Sequence, residues 1–223
     1  SAVCTAPLGN RDGNSGSAGA PKRVLAPMTA VDLILASASP RRAALLRQIG
    51  VRFAVVTADI DETSHPGEAA AAYVRRMAHD KAVTVWRRRQ GQGIPVLGAD
   101  TSVIQDEAIL GKPRDEQDAV SMLMRLSGTR HRVLSAVALA GGRGIDIEVV
   151  ETQVDFRTLT PAECRRYWAT GEPHDKAGAY AIQGLGAVFV SGLVGSYSGV
   201  VGLPLAETCR LLRSYQISCW MRA

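Results

Sequence analysis

Cysteine is scarce in this sequence, and long apolar runs are missing. The four cysteines, Cys4, Cys164, Cys209 and Cys219, form neither a Cys-x-x-Cys pair nor the dense framework of a small secreted domain. No apolar run reaches the roughly 20 residues that a membrane-spanning helix needs, and the amino-terminal segment lacks the apolar core of a secretory signal. These absences predict a cytoplasmic protein that does not act at a membrane.

Several signatures of nucleotide-binding and metal enzymes are also missing. The sequence contains no Gly-x-x-x-x-Gly-Lys-Ser/Thr loop, no complete dinucleotide fingerprint, no His-Glu-x-x-His helix and no Gly-x-Ser-x-Gly elbow. Its four histidines lack the spacing of zinc ligands. These absences exclude a P-loop as the phosphate holder and argue against a zinc enzyme.

The length and the charge of the chain narrow the class further. With 223 residues, of which 46% are hydrophobic, the chain can bury one substantial core, which two lobes around a cleft could share. The formal charge is +5, and residues 1–30 hold three basic residues and one acidic residue, so +3 remains for the rest. This charge is weak for a protein that binds duplex nucleic acid. The expected partner is therefore a small anionic molecule rather than nucleic acid.

The pattern along the chain predicts a tail followed by one α/β domain. Residues 1–29 are rich in Gly, Ala, Ser and Pro without an apolar period, so we expect a disordered amino-terminal extension. Residues 30–223 are expected to form a single domain in which helices flank a mixed β-sheet. Strands are predicted at about 31–36, 52–58, 94–104, 108–110, 131–140, 145–157 and within 179–198, and helices at about 39–49, 67–90, 116–126, 160–169 and 203–215.

The first predicted helix begins with a motif suited to anion binding. Ser39 and Pro40 combine a capping hydroxyl with the residue favoured at the first helical position. Arg41 and Arg42 follow in the first turn, where each positive charge opposes the helix dipole by about 0.3–1 kcal/mol. An anion bound between them, close to Ser37, would offset that cost. On spacing alone, an ordinary cap with two solvated arginines explains the motif equally well.

Acidic residues follow two of the predicted strands. Asp59, Asp61 and Glu62 share the turn after the second strand, and Asp100 ends a later strand next to Thr101. Carboxylates that converge on one cleft can hold a divalent cation, which neutralises phosphate charge and lowers the pKa of an attacking water. Mg²⁺ is the natural candidate. Each acidic residue taken alone is more often a turn or capping residue.

Two lysines and a glutamine complete the set of candidates. Lys81 lies on the apolar face of the long predicted helix, where its ammonium group must either reach solvent or meet an anion. Lys112 occupies a turn, in which it can contact phosphate or simply be solvated. Gln183 follows a glycine-rich stretch, and its amide can pair with the imide edge of uracil or thymine or simply lie on the surface.

Eight short motifs, taken together, resemble the Maf family, which is linked to septum formation. The matches are collinear and extend from about residue 33 to residue 212. They are L-A-S-A-S-P-R-R at 35–42, D-I-D-E-T at 59–63, H-D-K-A at 79–82, L-G-A-D-T at 97–101, G-K-P at 111–113, M-L-x-x-L-S-G at 122–128, D-K-A-G-A-Y-A-I-Q-G at 175–184 and G-S-Y-x-x-V-V-G-L-P-L-x-E-T at 195–208. A single motif of this kind would be unspecific, whereas eight in order are specific.

The resemblance implies both a fold and an activity. It implies an elongated α/β fold with a deep cleft, related to the inosine triphosphate pyrophosphatases. It also implies hydrolysis of a nucleoside triphosphate to the monophosphate and pyrophosphate. The motif at 175–184 is similar to that of the branch acting on dTTP and UTP, and modified pyrimidine nucleotides are further expected substrates. A homodimer is an expectation of the resemblance alone.

The resemblance also implies roles for single residues. Asp100 would accept a proton from the attacking water, Glu62 and Asp100 would bind Mg²⁺ or Mn²⁺, and Lys81 would act with them in catalysis. The residues implied to hold the triphosphate are Ser37, Arg41, Arg42, Lys81 and Lys112. Those implied to select the substrate are Arg41, Thr101 and Gln183.

Two other functions are compatible with the sequence. One is a phosphatase that releases orthophosphate from unwanted nucleotides, and analysis of the products would separate it from a pyrophosphatase. The other is a non-catalytic adaptor that binds nucleic acid or the division machinery, because the chain is basic and the family is linked to septum formation. Oligonucleotide binding that weakens steeply with salt would indicate the adaptor.

Overall fold

The sheet of the protein combines parallel and antiparallel strands. The computed structural model describes residues 31–89 and 92–220, so the expected disordered extension at 1–29 lies outside the described residues. Within them the strands are β1 (Leu33–Leu35), β2 (Phe53–Val55), β3 (Val96–Gln105), β4 (Ala108–Leu110), β5 (Arg130–Gly141), β6 (Gly144–Phe156) and β7 (Val190–Val194). Their order is β2-β1-β3-β5-β6-β7, and β4 pairs with β3. Strands β2, β1 and β3 are parallel, and the other pairs are antiparallel.

Helices flank this sheet. In the described part of the chain they are α1 (Pro40–Gln48), α2 (Ala70–Arg88), α3 (Glu116–Leu126), α4 (Pro161–Ala169), α5 (Tyr197–Val201) and α6 (Leu205–Ser214). The Ser39 side chain caps α1, and Thr160 forms a capping box with Glu163 at the start of α4. The predicted α/β class, a mixed sheet flanked by helices, is therefore confirmed. Within 31–89 and 92–220, no helix has the length and apolar character needed to cross a bilayer.

One edge of strand β3 has a gap in its pairing. Strand β5 pairs along almost the whole of β3. On the other edge, β1 pairs with β3 as far as Leu97, and β4 pairs with it from Val103 onwards. Asp100 and Thr101 lie between these two points. The gap leaves room for a cleft beside the middle of β3, next to the end of the parallel strand β1.

Gly98 allows helix α2 to lie close to the sheet. A Cβ atom built on Gly98 would lie 2.3 Å from the carbonyl oxygen of Ala78 and 2.7 Å from the amide nitrogen of Ala82. Because both are backbone atoms of α2, only glycine permits this separation. Gly98 and Asp100 lie on the same face of β3, since side chains alternate along a strand. The close contact therefore brings α2, with Lys81, against Asp100.

The apolar core occupies both faces of the sheet. Alternate residues of β5 point to opposite sides, so Val133 and Val137 enter the larger cluster while Ala136 and Ala138 face α2. The cluster beneath α2 is rich in alanine on both sides of the contact. These small side chains match the short helix-to-sheet distance that Gly98 allows.

The glycine-rich segment at 179–198 differs from the prediction of strands. Only Val190–Val194 is a strand, whereas Leu185–Phe189 forms a 3₁₀ turn and Tyr197–Val201 is helical. Gly178 and Ala179 adopt positive φ angles of 67° and 58°, which a regular strand excludes. The strand predicted at 52–58 is also shorter, because the chain leaves the sheet after Val55.

Candidate active site

A cleft of about 630 Å³ opens beside the unpaired part of β3. The residues predicted from the sequence to form the site come from six different parts of the chain, from the β1–α1 junction to the segment after α4. All of them line this one cleft: Ser37, Arg41, Arg42, Glu62, Lys81, Asp100, Thr101, Lys112 and Gln183. The fold therefore brings together the residues to which the family resemblance assigns a site role, whereas Asp59 and Asp61 lie outside the cleft lining.

An ion-paired lysine joins two carboxylates at one side of the cleft. Nζ of Lys81 lies 2.9 Å from Oδ1 of Asp100 and 2.8 Å from Oε1 of Glu62. The side chains of Lys81 and Asp100 are 10% and 12% exposed, whereas that of Glu62 is 56% exposed. Burial raises the pKa of Glu62, but the hydrogen bond and charge of Lys81, with the charges of Lys112 and Arg42, outweigh burial and lower it. Glu62 is therefore ionised at neutral pH.

The acidic turn after β2 contributes only one residue to the cleft. Glu62 faces inward, and its carbonyl oxygen accepts a hydrogen bond of 2.9 Å from the Tyr73 hydroxyl. Asp61 instead accepts a hydrogen bond from the backbone N–H of Thr63, at 2.9 Å, on the surface. Asp59 is also exposed and lies outside the cleft lining. Asp61 thus has the turn role that each acidic residue could have had.

The two inward carboxylates match the donor set of a magnesium ion that binds together with a nucleotide. Among the residues the structure describes, no group of three or more His, Cys, Asp or Glu side chains could enclose a metal. Mg²⁺ commonly takes one or two protein carboxylates and completes its coordination with water and substrate phosphates. Glu62 and Asp100 fit this pattern. The position of Lys81 between them shows that this point of the cleft stabilises a positive charge.

Arg42 is held rigidly at the start of α1. Its Nε donates to the carbonyl oxygen of Gly202 at 2.8 Å, and one terminal nitrogen donates to Oγ of Ser37 at 3.1 Å. Burial lowers the pKa of Arg42, and the nearby Arg41 lowers it further, while the charges of Asp100 and Glu62 act in the opposite direction. Because the ordinary pKa of arginine is so far above neutrality, the guanidinium stays charged at neutral pH. The cleft thus contains a fixed cation near the two carboxylates.

Further basic groups surround the same space. The Arg41 guanidinium lies 3.9 Å from Asp175, which is also paired with Lys176. Arg41, Lys112 and Lys176 all line the cleft, and Lys112 is close enough to act on the pKa of Glu62. An anion entering the cleft would therefore meet several cations from separate segments. This is the electrostatic arrangement that a polyphosphate requires.

Carbonyl groups in and after α5 accept hydrogen bonds from side chains of β3 and β5 at the side of the cleft where Thr101 lies. Oγ1 of Thr101 lies 3.1 Å from Oγ of Ser135 and donates to the carbonyl oxygen of Gly202 at 3.4 Å. Ser135 in turn donates to the carbonyl oxygen of Gly199 at 2.6 Å. Gly202, with φ at 139°, accepts from both Thr101 and Arg42. One carbonyl group therefore couples β3 to the start of α1.

The segment that carries Gln183 contributes to the lining of the cleft and is anchored by hydrogen bonds to other elements. The hydroxyl of Tyr180 is hydrogen-bonded to Nε2 of the buried His131 at 2.8 Å. The N–H of Gly178 donates to the carbonyl oxygen of Gly111 at 3.0 Å. A Cβ atom on Gly178 would lie 2.9 Å from a methyl group of Val103, so this turn also depends on glycine. Gln183 is thus presented by a fixed backbone.

Several residues that shape the cleft have no site role predicted from the sequence. Tyr73 could have been found, because it lies eight residues before Lys81 and so on the same face of α2. Ser135 and Tyr180 carry no comparable local signal. They reach the site only through pairing of β5 with β3 and through the turns after α4. Such long-range contacts leave no pattern in a single sequence.

Two solved structures show distant similarity to the protein. One is a nucleoside-triphosphatase / dITP/XTP pyrophosphatase from Mycobacterium abscessus, with 15% identity, coverage of 82% of this chain and 94% of that chain, and a TM-score of 0.39. The other is the Staphylococcus aureus Ham1 protein, with 11% identity, coverage of 56% and 71%, and a TM-score of 0.35. Neither similarity is close enough to support an argument about function.

Sequence relatives are much closer. A protein of Hahella chejuensis named dTTP/UTP pyrophosphatase is 51% identical over 189 residues, which cover 84% of this chain and 94% of the relative. A protein of the same name from Myxococcus xanthus is 56% identical over 180 residues, which cover 81% and 90%. Residues 32–215 match the family model described as Maf-like protein. The chain therefore belongs to the Maf family.

Proposed function

We propose that this protein is a nucleoside triphosphate pyrophosphatase that hydrolyses dTTP and UTP to the monophosphate and pyrophosphate. The observation that carries the proposal is the pair of carboxylates, Glu62 and Asp100, joined by Lys81 in a cleft that also contains Arg41 and Arg42. Relatives that are more than half identical to the chain bear the name dTTP/UTP pyrophosphatase, which supports the same activity here.

The triphosphate is proposed to bind at the start of α1. Backbone N–H groups at a helix N-terminus point outward without intrahelical partners, and the helix dipole favours negative charge there. Arg42 is held with its guanidinium in the cleft, and Arg41 belongs to the same helical turn. Ser37 and Lys112 add a hydroxyl and an ammonium group. Together these groups compensate the charge of three phosphates.

Asp100 is proposed to accept the proton of the attacking water. A general base needs a fixed position next to the reacting water, and Lys81 holds Oδ1 of Asp100 at 2.9 Å in an enclosed part of the cleft. The low exposure of both groups limits competing solvent and strengthens their electrostatic interaction. Mg²⁺ or Mn²⁺ held by Glu62 and Asp100 would supply charge neutralisation and a more acidic water. Lys81, which also lines the cleft, would contact the phosphates as well.

Selection of the substrate by its nucleobase is proposed to involve Gln183, Thr101 and Arg41. The amide of Gln183 offers one donor and one acceptor side, which match the imide edge of uracil and thymine. Thr101 and Arg41 line the same cleft on other elements. Modified pyrimidine triphosphates that keep the imide edge are further proposed substrates.

The experiment that tests this function is a screen of common and methylated nucleoside triphosphates with Mg²⁺ and with Mn²⁺, followed by ion chromatography. We expect equal amounts of monophosphate and pyrophosphate from dTTP and UTP, and loss of turnover when a chelator removes the metal. Orthophosphate as the sole phosphate product would reject the reaction. Absence of turnover with every pyrimidine triphosphate would reject the substrate.

Cellular and assembly properties are also proposed. We propose a cytoplasmic protein from the cysteine pattern, and a homodimer with a link to septum formation from the family resemblance alone. The weak positive charge supports free nucleotides rather than nucleic acid as the partner. Sedimentation of the purified protein and oligonucleotide titration at two salt concentrations test the assembly and the nucleic-acid statements.

A further inference from the structure

Glu172 lies beneath the segment that carries Gln183, and its carboxylate is fully engaged there. It accepts a hydrogen bond from the Tyr167 hydroxyl at 2.7 Å and from the N–H groups of Leu185 and Gly186, both at 2.9 Å. Neither Glu172 nor Tyr167 lines the cleft. These contacts therefore act on the backbone just after Gln183 and not on a ligand directly.

Tyr167 extends the same contact to the other side of Gln183. Its hydroxyl donates to Glu172 and accepts from the N–H of Ala181 at 3.1 Å. The Tyr167 ring is buried and packs edge-on against Phe189, with ring centres 5.0 Å apart. Tyr167 and Glu172 thus hold the backbone at Ala181, two residues before Gln183, and at Leu185, two residues after it.

Gly184 and Gly186 pack tightly against this carboxylate and the Tyr167 hydroxyl. A Cβ atom on Gly184 would lie 2.1 Å from Oε2 of Glu172, and one on Gly186 would lie 2.7 Å from the Tyr167 hydroxyl. Burial raises the pKa of Glu172, but hydrogen bonds from Tyr167, Gly186 and Leu185 outweigh burial and lower it. The ionised carboxylate accepts all three bonds at neutral pH. Close packing and directed bonds together define a single position for the segment.

We propose that Glu172 and Tyr167 are positioning residues that fix Gln183 for base recognition, and that they thereby set the affinity for pyrimidine nucleotides and the selection among them. The inference rests on the proposed function, because Gln183 matters only if the cleft takes a pyrimidine nucleotide. It adds to that function a pair of residues outside the cleft that control substrate choice.

The test compares steady-state kinetics of the wild type with those of Tyr167→Phe and Glu172→Ala, using UTP and CTP with Mg²⁺. Tyr167→Phe keeps the packed ring and removes only the hydroxyl. We expect KM for UTP to rise about tenfold in either variant, with kcat within about threefold, because loss of a hydrogen bond that leaves its partner unsatisfied typically changes binding on this scale. The preference for UTP over CTP should fall by a similar factor. Glu172→Gln, which keeps one acceptor oxygen, should recover part of the change.

Glu116→Gln is the matched control, because Glu116 is an exposed carboxylate in the first turn of α3. It should leave both kinetic constants unchanged. A second test uses Gly184→Ala, whose methyl group would collide with Glu172. As a single substitution, Gly184→Ala should raise KM for UTP. In the Glu172→Ala background it should raise KM little further, because the colliding carboxylate is then absent.

The outcomes separate this inference from the proposed function. If the wild type is active and Tyr167→Phe and Glu172→Ala have the same KM and the same preference for UTP as the wild type, the positioning role is overturned. The proposed pyrophosphatase activity then still stands. A parallel fall of kcat for UTP and CTP, with a lowered melting temperature and unchanged preference, would indicate general structural damage and would also overturn it. A wild type that releases pyrophosphate from no pyrimidine triphosphate would overturn both.

Discussion

The ammonium group of Lys81 lies 2.9 Å from Oδ1 of Asp100, and both side chains are almost completely enclosed. An enclosed ion pair loses hydration on both sides, so it contributes less to stability than its short distance suggests. Removing only one partner is much worse, since the other charge then stays enclosed without compensation. The pair is therefore better explained by function than by stability. The hydrogen bond from Lys81 holds the Asp100 side chain in one orientation towards the cleft.

Replacement of Lys81 by methionine should therefore destabilise the protein. We expect a loss of about 3 kcal/mol in the free energy of unfolding, as for other broken buried pairs, and a loss of activity. Urea unfolding of Lys81→Met, Asp100→Asn and the double variant measures this, and the double variant should lose less than the sum of the single changes. Arg75→Met, an exposed cation on the same helix, is the control. Additive losses would show that the two side chains do not depend on each other.

Replacement of Gly98 by alanine should separate α2 from the sheet. The added methyl group would meet two backbone groups of α2, so the helix as a whole must move. We expect a loss of about 1–3 kcal/mol or more in unfolding free energy, as for other overpacked sites. Activity should fall further than stability explains, because Lys81 moves away from Asp100. Gly142→Ala, at an open position, should change neither property. Similar behaviour of the two variants would contradict the role given to Gly98.

His131 should make the stability of the protein depend on pH. Burial lowers its pKa from the ordinary 6.5 to about 4, although the charge of Asp155 acts in the opposite direction. The imidazole of the unfolded chain binds a proton more readily than that of the folded protein. The contribution of His131 to the free energy of unfolding is therefore fully present above about pH 6.5 and is lost as the pH falls towards 4. The shift corresponds to roughly 3 kcal/mol.

The measurement is the free energy of unfolding of wild type and His131→Gln between pH 7 and pH 4.5. The wild type should lose more stability over this interval than the variant does, because glutamine does not titrate there. The variant should also be less stable at pH 7, since the bond between His131 and Tyr180 is disturbed. Parallel curves would show that His131 does not contribute to the pH dependence.

Local patterns in the sequence predict the fold well where they are sufficient. Ser39 and Pro40 give the start of α1, and the glycines at 141, 142 and 144 give the turn between β5 and β6. In the segment at 179–198, where strands were predicted, only Val190–Val194 is a strand. The conformation of this segment depends on contacts with Glu172, His131 and other distant residues, which apolar periodicity does not reveal.

The residues with a site role implied by the family resemblance all reach one cleft, but their contacts were not predictable from spacing. The sequence left open whether Lys81 meets an anion or reaches solvent, and the structure places it against Asp100 and Glu62. That contact depends on Gly98, which allows α2 to approach the sheet. Which carboxylate of the acidic turn faces inward depends in part on Tyr73. These are tertiary relationships, set by how separate elements pack.

The Asp100→Asn variant tests most directly the proposal that Asp100 acts on the attacking water of a pyrimidine nucleotide pyrophosphatase. The measurement combines pyrophosphate release from UTP with Mg²⁺ and the dissociation constant of UTP for the same preparation. We expect turnover to fall by a factor on the order of 10²–10⁴, as for the loss of a general base, while UTP still binds. Turnover equal to that of the wild type would contradict the account.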